Sequence, residues 1–452
     1  MNLFRISLAI VLLGSGSLAA QERLAIKGGR ILPVVGPPIE GGVILIRDGK
    51  IEAVGKNVTI PSDAKVIDAT GKVITPGFIE AHSMRGTDRS NENNPNVPFL
   101  SVVDSIDPSQ DYFEECRRNG VTACAVVPGN ATMFGGQAAV VKTAGTYIDE
   151  MIVKRGAGIK ISLRPTADRN RMGQIAAIRK ALDDAREQVA EDTKSESKPA
   201  AEEKAKEKTD TSATEQQQPP PRRRNQQAGR GQRGPGEAPD SALVTDALAR
   251  LLRGEMLAFI YCELAMDVPQ AIKLINDYKL KGVLVLGQDC HKAMAQIAAS
   301  KLPVVLDPNL VYWETDPRTG EEKQINLPKL YREAGVPVTF QVTGFAAGNL
   351  FRSPNLPPTL GTNYLWYQAA TAQKYGTPAD EALTAITLRP AQFIGVGSAL
   401  GSIEPGKDAD LVILTGDPLK LDTWVHSTII GGKVVYERDQ DRKLKALLKP
   451  EK

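Results

Sequence analysis

Between residues 76 and 395 the chain repeatedly switches period, from short apolar runs of strand length to stretches whose apolar residues return at i, i+3 and i+4. Segments of the second kind, such as "QAIKLINDYK" and "HKAMAQIAASK", fall between segments of the first. This alternation predicts a parallel α/β architecture, with helices packed over the strands. Eight strands are expected, at 77–82, 121–127, 138–142, 159–163, 257–262, 282–286, 303–306 and 337–343, and eight suits a barrel. The third has little room around it before the next element.

Both flanks read differently. Residues 24–75 carry short β patterns separated by turn residues, with Asp48-Gly49 and Thr70-Gly71 as turns, and predict a small antiparallel sheet. Near the other end, "DADLVILTGDPL" and "HSTIIGGKVVYE" repeat the style, the second turning at Gly431-Gly432. Each segment is too small to fold alone, so 21–75 and 396–440 are expected to pair into one composite β domain that brackets a barrel at 76–395. Within the barrel, 191–240 has almost no apolar residue able to offset ordering entropy, and is expected to be a disordered insertion. Its "RRRNQQAGRGQRG" resembles an Arg/Gly nucleic-acid tail, but the formal net charge of +3 implies no polyanionic partner and a solvated loop is expected.

The first twenty residues combine Arg5, an apolar run from Ile6 to Leu13, and Ser17 and Ala19 at A-x-A-like spacing. They read as a signal peptide, so the mature protein is expected to be exported, periplasmic or secreted, with no permanent membrane span. Four cysteines (Cys116, Cys124, Cys262, Cys290) form no C-x-x-C pair. Buried thiols are expected, although an oxidising compartment permits a bridge such as Cys116 to Cys124.

Chemistry is expected where "VITPGFIEAH" ends, because an apolar run closing in a polar tip is how a barrel strand meets its active face. An H-x-H pair there would place two imidazoles on one side of the strand, but the residue two after His82 is Met84, whose thioether is a poor ligand for the ions used in hydrolysis.

The stretch "GKVITPGFIEAHS", the interior "SIDPSQDYFEECRRNGVTACAVVPGNATMFGGQAAVVKTAG" and the distal "LRPAQFIGVGSALGSIEPGKDADLVILTGDPL" together resemble the amidohydrolase superfamily, in particular its exported imidazolonepropionase-like branch. The resemblance covers nearly the whole chain apart from the first residues and the insertion. It implies a distorted TIM (β/α)8 barrel with a small β-sandwich domain built from both termini. It also implies a metal-dependent C–N hydrolase, with divalent ions such as zinc held by H-x-H on strand 1, a lysine or glutamate on strand 4, histidines on strands 5 and 6 and an aspartate on strand 8.

Carried onto this chain, that pattern finds His82 at the first ligand and Met84 at the second, Tyr261 (or Cys262) on strand 5, Leu286 on strand 6, Gly344 for the aspartate and Lys160 on strand 4. Only three histidines exist, too few for such a centre. His82 is therefore expected to be hydrogen-bonded rather than metal-bound, and Lys160 to be paired with a carboxylate. His291, at a helix start, and His426, in the β domain, are expected to have no part in a site. The expected function is that of a degenerate family member with no cofactor, binding a small molecule or associating with an active relative. The alternative is a working hydrolase with an unconventional metal site around His82, with Glu80, Asp88, Lys160 or His291 brought in by loops.

Overall fold

The computed structural model describes residues 23–196, 241–342 and 364–448. The expected signal peptide, residues 197–240 of the expected insertion, and Gly344 lie outside these. Among the described residues no helix is long and apolar enough to cross a membrane.

Strands β1 (Arg23–Ile31), β2 (Ile39–Arg47), β3 (Lys50–Gly55), β4 (Lys65–Asp68) and β5 (Val73–Pro76) come from one flank. The barrel supplies β6 (Phe78–Ser83), β7 (Val121–Val126), β8 (Phe134–Lys142), β9 (Ile152–Ser162), β10 (Leu257–Cys262), β11 (Gly282–Leu286), β12 (Val304–Val305) and, after a hairpin of β13 (Val311–Thr315) and β14 (Glu322–Asn326), β15 (Val338–Thr339). The distal flank adds β16 (Leu411–Leu414), β17 (Val425–Ile430) and β18 (Lys433–Glu437).

The two flanks make one sheet, in the order β18-β17-β16-β5-β1-β2-β3 with β4 also on β1. Antiparallel pairing of β16 with β5 joins the termini, and Ile26, Ile44, Ile74, Leu411, Ile413 and Ile429 form the core beneath. Asp48 and Gly49 both take positive φ (50° and 77°), as do Gly431 and Gly432 (55° and 75°), the backbone that a two-residue hairpin of matching twist requires. Thr70-Gly71 closes no hairpin, contrary to expectation: β4 and β5 are successive segments that both run parallel to β1. The sheet is consequently mixed rather than antiparallel.

The barrel sheet runs β15-β12-β11-β10-β9-β8-β7-β6. Its strands match the eight expected, but β8 is antiparallel to both neighbours. The seven residues 127–133 between β7 and β8 explain this, since a parallel crossover needs a dozen or more. Alternate strand residues divide between two cores. One includes Ile79, Ala123, Ala125, Phe259, Val283 and Val285, and fills the barrel; the other includes Phe78, Cys124, Ile161, Ile260 and Leu284, and packs against the helices. All four cysteines are buried and free.

The helix Arg171–Glu196 runs past Glu191, where the insertion was expected to begin; Asp192 there pairs with Arg253, and the Thr193 hydroxyl donates to the Val189 carbonyl one turn back. At the junction of the two sheets, Gly77 leaves no room for a side chain: a Cβ there would stand 1.9 Å from Thr122 Oγ1. Lys142 bridges the same junction, its Nζ 2.8 Å from Asp408 and 3.1 Å from Asp410.

Candidate functional site

Simple alternation along β6 would aim His82 the way Glu80 aims. The pairing of β6 with β7 shifts register between Glu80 and Ser83, and this irregularity sends the two side chains different ways. His82 meets the interior ring of Phe259 at 6.2 Å, whereas Glu80 meets Tyr112 of the helical layer.

His82 is 1% exposed and both its ring nitrogens are engaged. Nδ1 lies 2.8 Å from Gln341 Oε1, and Nε2 lies 2.8 Å from Lys160 Nζ. Gln341 Nε2 donates to the Leu306 carbonyl, so Gln341 Oε1 is the acceptor and His82 carries its proton on Nδ1. Nε2 is then an acceptor, and Lys160 donates to it. Burial, followed by the charge of Lys160, holds the imidazole well below its ordinary range, so it is neutral.

Lys160 is wholly buried, and burial lowers its amine to about 7. The expected carboxylate partner is absent among the described residues. The interior wall around it is built from apolar side chains such as Ala138 and Phe259, and its polar contact is His82. The Tyr261 ring lies 5.3 Å from Lys160 Nζ and is half-buried. Burial pushes the Tyr261 phenol up to about 12, so it stays protonated.

On the other side of β6, Glu80 Oε1 accepts from Val342 N at 3.0 Å and Oε2 from the Tyr112 hydroxyl at 3.1 Å. Burial raises this carboxyl to about 7 despite those bonds. β6 and β15 are the two ends of the strand order, so the Glu80–Val342 and His82–Gln341 bonds stitch the seam where the barrel closes. Gln368 supports the seam by donating to the Gln341 carbonyl at 2.6 Å.

The remaining expected positions do not converge. Met84 follows β6, half-buried. Leu286, carried onto the strand 6 ligand position, does not line the barrel mouth. It belongs to the core under the helices, because Val283 and Val285 are the residues of β11 that face inward. Cys262 likewise lies in that outer core. His291 is half-buried, with Nδ1 3.1 Å from the Gln288 carbonyl, and Asp88 is exposed, capping the Arg89 amide at 2.8 Å. His426 Nδ1 contacts Ser427 Oγ at 2.8 Å in the β domain.

Gln341 and Tyr112 were not foreseen. A lone amide in the apolar run "VTFQVTG" was the available signal for the first; Tyr112 sits on an ordinary amphipathic helix and gave none.

Among the described residues no group of three or more His, Cys, Asp or Glu could hold a metal ion. His82 has one acceptor nitrogen, and a lysine amine is already bonded to it. These residues do not fit the divalent centre.

Architecture and site together define the class: an α/β barrel joined to a β domain assembled from both flanks, with a buried polar network at the end of the first barrel strand. Residues 261–435 match the sequence profile of the amidohydrolase family. An amidohydrolase from Thermotoga maritima has the same fold, with a TM-score of 0.71 and 26% identity, over 92% of this chain and 100% of that one. Amidohydrolase tasK of Hapsidospora irregularis is 24% identical over 438 residues, 86% of this chain but 39% of its own. An imidazolonepropionase of Porphyromonas gingivalis is 42% identical over 67 residues, 14% of this chain and 16% of its own. The chain thus spans about two fifths or less of the length of these curated relatives. Its fold is that of the amidohydrolase superfamily.

Proposed function

We propose that this protein is a metal-independent member of the superfamily, a binding protein for a small molecule or a partner of an active relative, whose barrel mouth is organised by Gln341, His82 and Lys160. One observation carries the reading: both nitrogens of His82 are committed, Nδ1 to Gln341 and Nε2 to Lys160, at 2.8 Å each. A zinc site takes three or four protein ligands, and here the histidine best matched to that role holds an amine instead. The alternative, a hydrolase with an unconventional centre around His82, draws no support from Asp88 or His291, which no hydrogen bond among the described residues joins to the network.

Metal analysis of the dialysed protein tests the proposal. Bound divalent ion is expected well below about one per chain. Near-stoichiometric metal that disappears in His82→Ala would overturn it. The narrower kinship with imidazolonepropionases is supported by the interior motif and the 67-residue match. Export is supported by the first twenty residues, and the mass of the mature N-terminus after expression in a secreting host tests it.

A further inference from the structure

A second polar feature lies outside the Gln341–His82–Lys160 network. The C-terminal ends of β6 and β7 and the start of the antiparallel β8 share one end of the barrel, and it is at the C-terminal ends of their strands that barrel proteins hold ligands. Here residues 87–105 are stitched to the stretch that joins β7 to β8 and to β8 itself. Val97 N donates to the Phe134 carbonyl at 2.9 Å, Gln137 N to the Leu100 carbonyl at 2.6 Å and Ala131 N to Asn91 Oδ1 at 2.9 Å. Gly136 permits this approach, since a Cβ there would stand 2.8 Å from the Leu100 oxygen. The two segments leave between them a cavity of about 270 Å³, near the lower end of the ~300–1,000 Å³ typical of small-ligand sites.

The lining holds polar groups that the protein itself does not satisfy. Thr132 is 1% exposed, and its Oγ1 has no hydrogen-bond partner among the described residues. The Glu92 and Asp104 carboxylates and the Arg89 guanidinium, all exposed, form no ion pair and no side-chain hydrogen bond among the described residues. Among the described residues no group of three or more His, Cys, Asp or Glu could hold a metal ion, so these carboxylates suit an elongated organic cation rather than a single ion. We propose that the cavity binds a basic amino acid with free α-ammonium and α-carboxylate groups. Arg89 takes the carboxylate, Glu92 and Asp104 take the two cationic groups, the methylene stem lies along Val97 and Leu100, and Thr132 supplies the buried hydrogen bond. The proposal rests on the small-molecule-binding reading above and gives it a site and a ligand class.

Isothermal titration of the full chain with L-lysine tests this, and a Kd at or below about 1 mM is expected. Asp104→Asn and Arg89→Gln should each weaken binding about 10-fold, whereas Glu322→Gln, on the β13–β14 hairpin and not in the lining, should not. Arg89→Gln separates a carboxylate contact from general attraction. L-Lysine carries a net positive charge, so removing a cation from the lining would strengthen its binding if bulk charge alone acted. Cadaverine, which has no carboxylate, should bind Arg89→Gln at least as tightly as the native protein. Thr132→Val should weaken L-lysine binding without lowering the urea midpoint, because the hydroxyl has no partner within the protein to lose. The proposal is overturned if L-lysine at about 10 mM gives no binding heat, or if Arg89→Gln binds it as tightly as the native protein. Metal content of the same sample separates the two failures. Absent binding in metal-free protein removes the ligand class alone, whereas stoichiometric metal that disappears in His82→Ala overturns the metal-free reading even where L-lysine binds.

Discussion

Replacing Lys160 by methionine should change the pH dependence of stability in a way that reverses sign. The amine has an ordinary value of 10.5 and is lowered to about 7 by burial, so between these limits the unfolded chain binds its proton and the folded chain does not. Stability is therefore fully present above 10.5 and is lost as pH falls toward 7. At about 1.4 kcal/mol per pH unit, that loss amounts to roughly 5 kcal/mol. Methionine keeps a similar unbranched reach and removes the proton, but leaves His82 Nε2 without a donor, at about 1–3 kcal/mol. Lys160→Met is accordingly expected to be more stable than the native protein at pH 7, by roughly 2–4 kcal/mol, and less stable near pH 10.5 by about 1–3 kcal/mol. Urea unfolding at pH 7, 8.5 and 10 measures this, and taking the difference between the two proteins cancels the titration of every shared group. A difference that stays constant within about 1 kcal/mol across the range would show that burial does not hold the amine neutral.

Glu80→Gln should behave in the opposite sense. The carboxyl is raised from 4.5 to about 7, so its contribution is fully present below 4.5 and lost as pH rises through 7. The variant, whose amide oxygen still accepts from Val342, should gain on the native protein by on the order of 3 kcal/mol between pH 4.5 and 8, and parallel unfolding curves would refute this. Gly77→Ala forces a Cβ to within 1.9 Å of Thr122 Oγ1 at the junction of the sheets, so its urea midpoint should fall by the equivalent of about 2 kcal/mol or more. An unchanged midpoint would mean that the backbones there are free to separate.

Which strands exist was legible because the strand and helix periods are local properties, carried by residues such as Phe259 and Val285 whose alternation survives any arrangement of neighbours. The direction of β8 was less legible. It depends on how far seven residues can reach between two strands. Site residues separated in the same way. His82 stood out because it ends an apolar strand, but its orientation follows from a register shift against β7 that no pattern in "GFIEAHS" announces.

From the sequence alone come the alternating barrel, the pairing of its two flanks into a second sheet, and a strand end where Met84 displaces the second histidine. Those follow from periodicity and residue chemistry, which each segment carries with it. Only the tertiary structure decided that Gln341 closes the seam, that Leu286 turns away from the mouth, and that Lys160 finds an imidazole instead of a carboxylate. Lys160 and His82 stand 78 residues apart, and the partners of a buried polar group are set by which strands the barrel makes adjacent and which faces they present.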